Sequence, residues 1–104
     1  MKESLTKLIT MNNKEIHGLS LNMAVFTTKY VMGKNSPIVY VYYDEEGDWQ
    51  FFGSEENIEI EDAMVVSLGE IFEMDRSIVD VLTLAINSFA TRKSRNSDWV
   101  VSTL

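Results

Sequence analysis

Cysteine is absent from the 104 residues, proline occurs once, at Pro37, and histidine once, at His17. The missing cysteines remove disulfide scaffolding, thiolate-metal sites and cysteine nucleophiles together. No apolar run approaches the roughly 18 to 20 residues that a membrane-spanning helix needs, so no membrane partner is expected. The opening stretch MKESLTKLIT has no apolar signal-peptide centre followed by a small-residue cleavage site, which points to a cytoplasmic protein. Five scattered glycines make neither a Gly-x-Gly-x-x-Gly turn nor a Walker loop, so no phosphate cradle and no cofactor are expected.

Basic residues are scarce where they would matter for a polyanion. Residues 44–80 carry thirteen Asp or Glu against the single base Arg76, a net −12, while residues 1–43 come to +3 and residues 81–104 to +2. Binding to nucleic acid needs clustered Lys and Arg, and only the short Arg92-Lys93-Ser94-Arg95 segment offers any, so no nucleic-acid partner is expected. The acid block favours a basic protein partner by electrostatic steering. Its candidate contacts are Asp44, Glu45, Glu46, Asp48, Glu55, Glu56, Glu59, Glu61 and Asp62.

With 45% hydrophobic and 24% charged residues the composition is that of a folded chain, and its length fits one domain over residues 1–104. Ile38 to Tyr43 is a run of six β-branched and aromatic residues without polar alternation, which predicts a central strand buried on both faces. Met23 to Thr28 predicts an earlier strand, separated from it by a loop holding Gly33, Asn35 and Ser36. Trp49 to Phe52 predicts a third, ended by Gly53. The connection DEEGD then becomes a hairpin turn, with Gly47 free to take positive φ and the acids left in water. Period-2 geometry puts Trp49 and Phe51 on one face and Gln50 and Phe52 on the other.

The second half changes period. Asp62 to Val66 is a short strand candidate. Ser67 to Glu70 fits a capping box, with Val66 and Ile71 placed for a hydrophobic staple. Ile78, Val81, Leu82, Ala85 and Ile86 fall on one stripe of an amphipathic helix starting at Ser77. Ser88 to Lys93 and Trp99 to Val101 supply one or two more strands, and Leu5, Leu8 and Ile9 predict a short first helix ended at Asn12-Asn13. Strands first and helical segments later argue an α+β fold, a mostly antiparallel sheet with one or two helices packed on one face.

Several of these segments together resemble a known pattern. Ser36-Pro37-Ile38, Gly47-Asp48-Trp49-Gln50-Phe51, Glu61-Asp62, Val65 to Glu70, Asp75-Arg76-Ser77-Ile78, Ala90-Thr91-Arg92 and Trp99 look like a family of small, uncharacterised bacterial proteins with a Gly-Asp-Trp-Gln-Phe hairpin. That family is similar in turn to a domain of unknown function grouped with the immunity proteins of polymorphic toxin systems. The resemblance covers about residues 24–99, and it departs at Arg76, where the family has Pro, and at Asn87-Ser88-Phe89, where it has a Pro-Gly-Trp-like segment. It implies a bacterial, non-catalytic, protein-binding domain of the immunity-protein-like kind.

Candidate chemistry is thin. A calcium loop needs oxygen ligands at alternate positions and a distal Glu, whereas Phe51 to Gly53 stand where that Glu would be, so no metal is expected. His17 is where any general base would be sought, but no nucleophile elbow accompanies it, and no catalytic residue is assigned. Trp49 and Trp99 are interface anchors or core residues, with core preferred for Trp49. Two functions from different classes therefore remain. One is a protein-binding domain reading a basic partner, with a homodimer also compatible. The other is a small-ligand protein or enzyme with a cleft near His17 and the carboxylates.

Overall fold

Residues 15–103 are described by the computed structural model of the chain; the first helix expected around Leu5, Leu8 and Ile9 lies outside them. They open with a small ribbon of β1 (Glu15–Ile16) and β2 (Leu19–Ser20), turned at His17 and Gly18, which take φ of 51° and 81°. β3 (Ala24–Thr28), α1 (Lys29–Lys34), β4 (Tyr40–Tyr43) and β5 (Trp49–Phe52) follow. A 3-10 turn at Ile60–Asp62 leads into β6 (Ala63–Ser67) and α2 (Leu68–Met74). A 3-10 helix at Arg76–Val81 then precedes β7 (Ser88–Thr91) and β8 (Val100–Thr103). Strands β3 to β8 form one six-stranded sheet in the order β6-β3-β5-β4-β7-β8, antiparallel except where β3 meets β5. The architecture is the expected α+β one. No helix among the described residues is long and apolar enough to cross a membrane.

Strand alternation divides the sheet into two unlike faces. Val25, Val41, Trp49, Phe51 and Ala90 point inward and are almost fully buried, closing a core with Val31 of α1, Leu68 and Ile71 of α2, and Ile78, Val81 and Leu82. Trp49 belongs to that core, stacked on Tyr43 with ring centroids 4.1 Å apart. β4 sits between β5 and β7, inside the sheet as a central strand should, yet it is not buried on both faces. Only Val41 is fully buried, and Tyr40 and Tyr42 keep part of their surface. A tyrosine can stand half in water because its ring is apolar and its hydroxyl polar, so an unbroken Tyr-Val-Tyr-Tyr run conceals an ordinary one-sided strand.

The helical segments are short and are set by their ends. The expected loop after Thr28 is in fact α1. Thr28 caps it by accepting from the Val31 amide, and Asn35 ends it in the left-handed region at φ 56°. Six residues are too few for a hydrophobic stripe to show, so the caps were the only local signal. α2 keeps its expected capping box: the Ser67 hydroxyl accepts from the Glu70 amide and the Glu70 carboxylate accepts from the Ser67 amide. The other free amides of its first turn are taken by main-chain carbonyls, Leu68 donating to Met23 and Gly69 to Leu21, which docks the helix on the turn between β2 and β3. The long helix expected from Ser77 is replaced by the 3-10 segment, in which Ile78 and Val81 still share a face while Ala85 and Ile86 turn out to water. Its length is limited from both sides. Asp75 caps it by accepting from the Ser77 amide, and Asn87, at φ 67°, donates to the Tyr43 carbonyl to start β7 beside β4.

Asp75 and Arg92 meet beneath these elements. The Arg92 guanidinium, with its side chain 1% exposed, donates to the Ile38 carbonyl at 2.9 Å, the Ser77 hydroxyl at 2.8 Å, the Arg95 carbonyl at 2.9 Å and Asp75 Oδ2 at 2.6 Å. Its face lies 4.1 Å from the centre of the Trp99 ring. The Asp-x-Ser, Ala-x-Arg and Trp motifs thus converge on one buried ion pair, and the expected basic segment gives up its first charge to the interior. Breaking a buried pair from one side costs about 3–5 kcal/mol, so Arg92→Ala should lose that much in urea denaturation. Arg92→Lys should lose most of it, because one ammonium cannot reach two carbonyls, a hydroxyl and a carboxylate at once. A Lys variant unfolding at the wild-type midpoint would show the fork geometry to be dispensable.

Candidate functional site

The outer face of the sheet follows from the strand register. Val65, Phe26, Gln50, Tyr42, Phe89 and Ser102 stand side by side across all six strands, and Phe52, Tyr40, Thr91 and Val100 form the adjoining row. Tyr40 stacks on Phe89 at 5.5 Å and leans on Phe52 at 6.1 Å. Phe26, Val65 and Val100 are 39%, 62% and 61% exposed, and no described helix covers this face. A run of apolar and aromatic side chains left open in this way is a usual mark of a contact surface. The sequence concealed it inside strands whose inward residues carry the stronger apolar signal; the i, i+2 spacing of Tyr40 with Tyr42 was the clue.

Two groups of carboxylates flank the face. The hairpin turn between β4 and β5 is built by Asp44: Oδ1 accepts from the amides of Glu46 and Asp48, and Oδ2 from the Gln50 side chain, each at 2.9 Å. Gly47 closes the turn at φ 84°, donating to the Asp44 carbonyl. Partial burial pushes the Asp44 carboxyl up, but the donors of Asp48, Gln50, Glu46 and Gly47 together outweigh it and hold the group below its ordinary value. Its oxygens are spent on the turn. Glu45 and Glu46 project into solvent, and Asp48 is half-buried. The Tyr42 hydroxyl, which donates to Asn87 Oδ1, is pushed up, first by burial and then by the charges of Asp44 and Glu45.

The second group lies in the loop leaving β5 at the other end. Glu56, Glu59 and Glu61 are exposed, whereas Asp62 is buried, 3.1 Å from Lys29 Nζ and accepting from the Tyr30 hydroxyl at 3.2 Å and the Glu59 amide at 2.9 Å. Asp62 therefore ties α1 to the 3-10 turn before β6. Glu55 is half-buried; Oε2 accepts from the Ser36 hydroxyl, and Oε1 is shut from solvent with no hydrogen-bond partner among the described residues. An acceptor left so costs about 1–3 kcal/mol. The acid block contiguous in sequence is thus two groups separated by β5, whose four residues span about 13 Å at roughly 3.3 Å each.

Two cavities accompany these elements. One of about 410 Å³ opens between Tyr40, Phe52, Gly53, Glu55 and Ile58. The other, of about 650 Å³, runs beside α2 between Leu21, Met32, Phe72, Met74, Glu70 and Glu73. His17 is exposed on the β1–β2 turn and lines neither, so the cleft sought near it is not formed by these cavities. Among the described residues no group of three or more His, Asp or Glu side chains converges as for a metal ion. Trp99 is occupied by Arg92, and of the three bases in that segment Lys93 and Arg95 remain exposed.

The Asp62 carboxyl is held below its ordinary value by the Glu59 amide and by Lys29, with Tyr30 assisting against the effect of burial. A carboxylate whose folded value is depressed adds stability above its unfolded value, about 3.9, and loses it as pH falls through the lower folded one. Asp62→Asn should therefore lower the unfolding midpoint at pH 6 and flatten the loss of stability below pH 4. Thermal melts of both proteins between pH 6 and pH 2 check this, and parallel acid limbs would place the acid sensitivity elsewhere. Comparison with models of protein families, with curated proteins and with solved structures finds no match to this chain.

Proposed function

We propose that this chain is a non-catalytic, cytoplasmic protein-binding domain, immunity-protein-like as its motifs suggest, that takes a basic partner against the outer face of its sheet. The observation that carries this is the open aromatic face with carboxylates at both ends. Aromatic rings supply rigid contact area at small entropic cost, and a ring of like charges at the rim selects an opposite charge while desolvating little. Of the nine candidate acids, Asp44 and Asp62 serve the fold and Asp48 and Glu55 are half-buried, which leaves Glu45, Glu46, Glu56, Glu59 and Glu61 as the exposed set a partner would meet.

Neutralising those five to glutamine should leave the circular dichroism spectrum and melting behaviour near wild type and weaken capture of a basic protein about tenfold or more. Capture should also fall as ionic strength rises, since rim charges are screened over about 10 Å at 0.1 M salt. Affinity capture from the cell's own lysate, quantified for both proteins at two salt concentrations, tests this. A basic protein held equally by both, with no salt dependence, would rule the charge-read surface out.

The edge strand β8 supports a homodimer as the second reading, because Val100 and Val101 stand 61% and 58% exposed beside an edge that no described strand pairs. Sedimentation equilibrium would then give twice the 11.9 kDa chain mass, and Val101→Lys would return it to the monomer value.

A further inference from the structure

The free side of β6 is set by the hydrogen bonds around it. Leu68 donates to the Met23 carbonyl in the register that also pairs Val25 with Val66 and Thr27 with Met64, so Met64 and Val66 turn their main-chain groups toward β3. Antiparallel alternation then turns those of Ala63, Val65 and Ser67 away from it. The two end positions are largely satisfied from within. Ala63 donates to the Ile60 carbonyl, Ser67 donates to Glu70 Oε1 at 2.9 Å, and the Ser67 carbonyl begins the bonding of α2. Among the described residues this leaves the Val65 amide, the Val65 carbonyl and the Ala63 carbonyl unpaired, one donor between two acceptors along a single edge.

Sheet edges are ordinarily blunted by lysine, proline or a bulge. β6 has none of these: it reads Ala-Met-Val-Val-Ser, pairs with β3 in unbroken register, and leaves Ala63, Met64 and Val65 exposed. Just before it stand Ile60, 91% exposed, and the exposed Glu59 and Glu61, while Lys29 at the same end is paired with Asp62. Val65 is also the last residue of the outer row, so this edge and the aromatic face adjoin. We infer that β6 receives an extended segment of the basic partner as an added strand. The inference rests on the protein-binding reading above and deepens it by naming how the partner is held. A strand of either direction would donate to the Val65 and Ala63 carbonyls and accept from the Val65 amide, bonds that give affinity whatever the side chains are. Side chains supply the selection: the residue beside Val65 joins the outer face, its neighbours lie beside Met64 and Val66, and a lysine or arginine at one end meets Glu59 and Glu61.

Hydrogen exchange on the full chain should find the Val65 amide fast between slow amides at Met64 and Val66. The probes are the peptides acetyl-Thr-Val-Thr-Val-Thr-Lys-Lys-amide and acetyl-Lys-Lys-Thr-Val-Thr-Val-Thr-amide, one for each strand direction, followed by amide NMR. Saturable shifts over residues 63–67 and slowed exchange at Val65 are expected with at least one of them. Affinity should fall at least about tenfold when every Thr and Val amide of that peptide is N-methylated, which removes the donors and keeps side chains and charge. Val65→Pro deletes the one edge donor without touching a bond to β3 and should weaken binding comparably, whereas Val65→Thr, which keeps it, should bind near wild type. Should Val65→Pro disturb the spectrum beyond β6, Val65→Lys, which blunts an edge by charge, takes its place. No saturable shifts with either peptide, undiminished affinity of the N-methylated one, or a Val65 amide already slow in the free chain would each overturn the inference. Protection at Val65 that rises with protein concentration alone would assign the edge to a second copy and overturn it as well. Partner capture separates this inference from the reading beneath it. Loss on neutralising Glu45, Glu46, Glu56, Glu59 and Glu61 with full retention by Val65→Pro would overturn the added strand and leave the charge-read surface standing. Retention by both variants would overturn both.

Discussion

The Asp75–Arg92 pair ties together parts of the chain that lie far apart in sequence. Asp75 ends α2 and starts the 3-10 helix; Arg92 follows β7; and the guanidinium fork also binds the carbonyl of Ile38, just before β4, and that of Arg95, on the way to β8. A buried charge is tolerable only when its partners are complete, so the four connections stand or fall together. Trp99, lying on the guanidinium, seals the pair from water and fixes the approach of β8. The consequence for the sheet is registration. β7 is fixed beside β4 at one end by Asn87 bonding Tyr43 and at the other by Arg92 bonding Val39, so the outward set of Tyr40, Tyr42 and Phe89 cannot slip to the other face.

The acids divide by role in a way their sequence positions do not show. Asp44 and Asp62 have short side chains able to reach main-chain amides, and both are used that way, one in a hairpin turn and one at a 3-10 turn. The glutamates at 45, 46, 56, 59 and 61 are longer and point to water. Chain chemistry thus sorts these seven acids into supports and surface. Glu55 falls in neither group, because one oxygen is bound to Ser36 and the other is buried without a partner among the described residues.

Much of the fold was legible where local signals were strong. The Trp49 hairpin with its Asp44–Gly47 turn, the Ser67–Glu70 capping box, the early strand at Ala24–Thr28 and the two late strands all lie where residue type and spacing put them. α1 was not, since Thr28 and Asn35 mark its ends but six residues carry no period. The Ile78 stripe was legible as helical and misjudged in length, because i, i+3 spacing is shared by 3-10 and α geometry and only the pairing of Ser88 with Tyr43 shows where the chain must leave. Of the candidate site, the sign of the charge could be read from the sequence. The cavity could not, because Tyr40, Phe52 and Glu55 come together across a strand pair and a loop.

An open aromatic face is ordinarily a hazard, since two copies could bury it against each other. Here the same carboxylates that border the face oppose that outcome, for any face-to-face pairing of two copies would bring the rims together, and each chain carries −7. On the proposed reading, charge at the rim has two tasks for one set of residues. It opposes the approach of an identical face, and it favours a surface of opposite sign. A neutral rim around the same rings would supply neither effect, so the proposal draws on the uneven placement of charge along the sequence and on the one-sided burial of the sheet together.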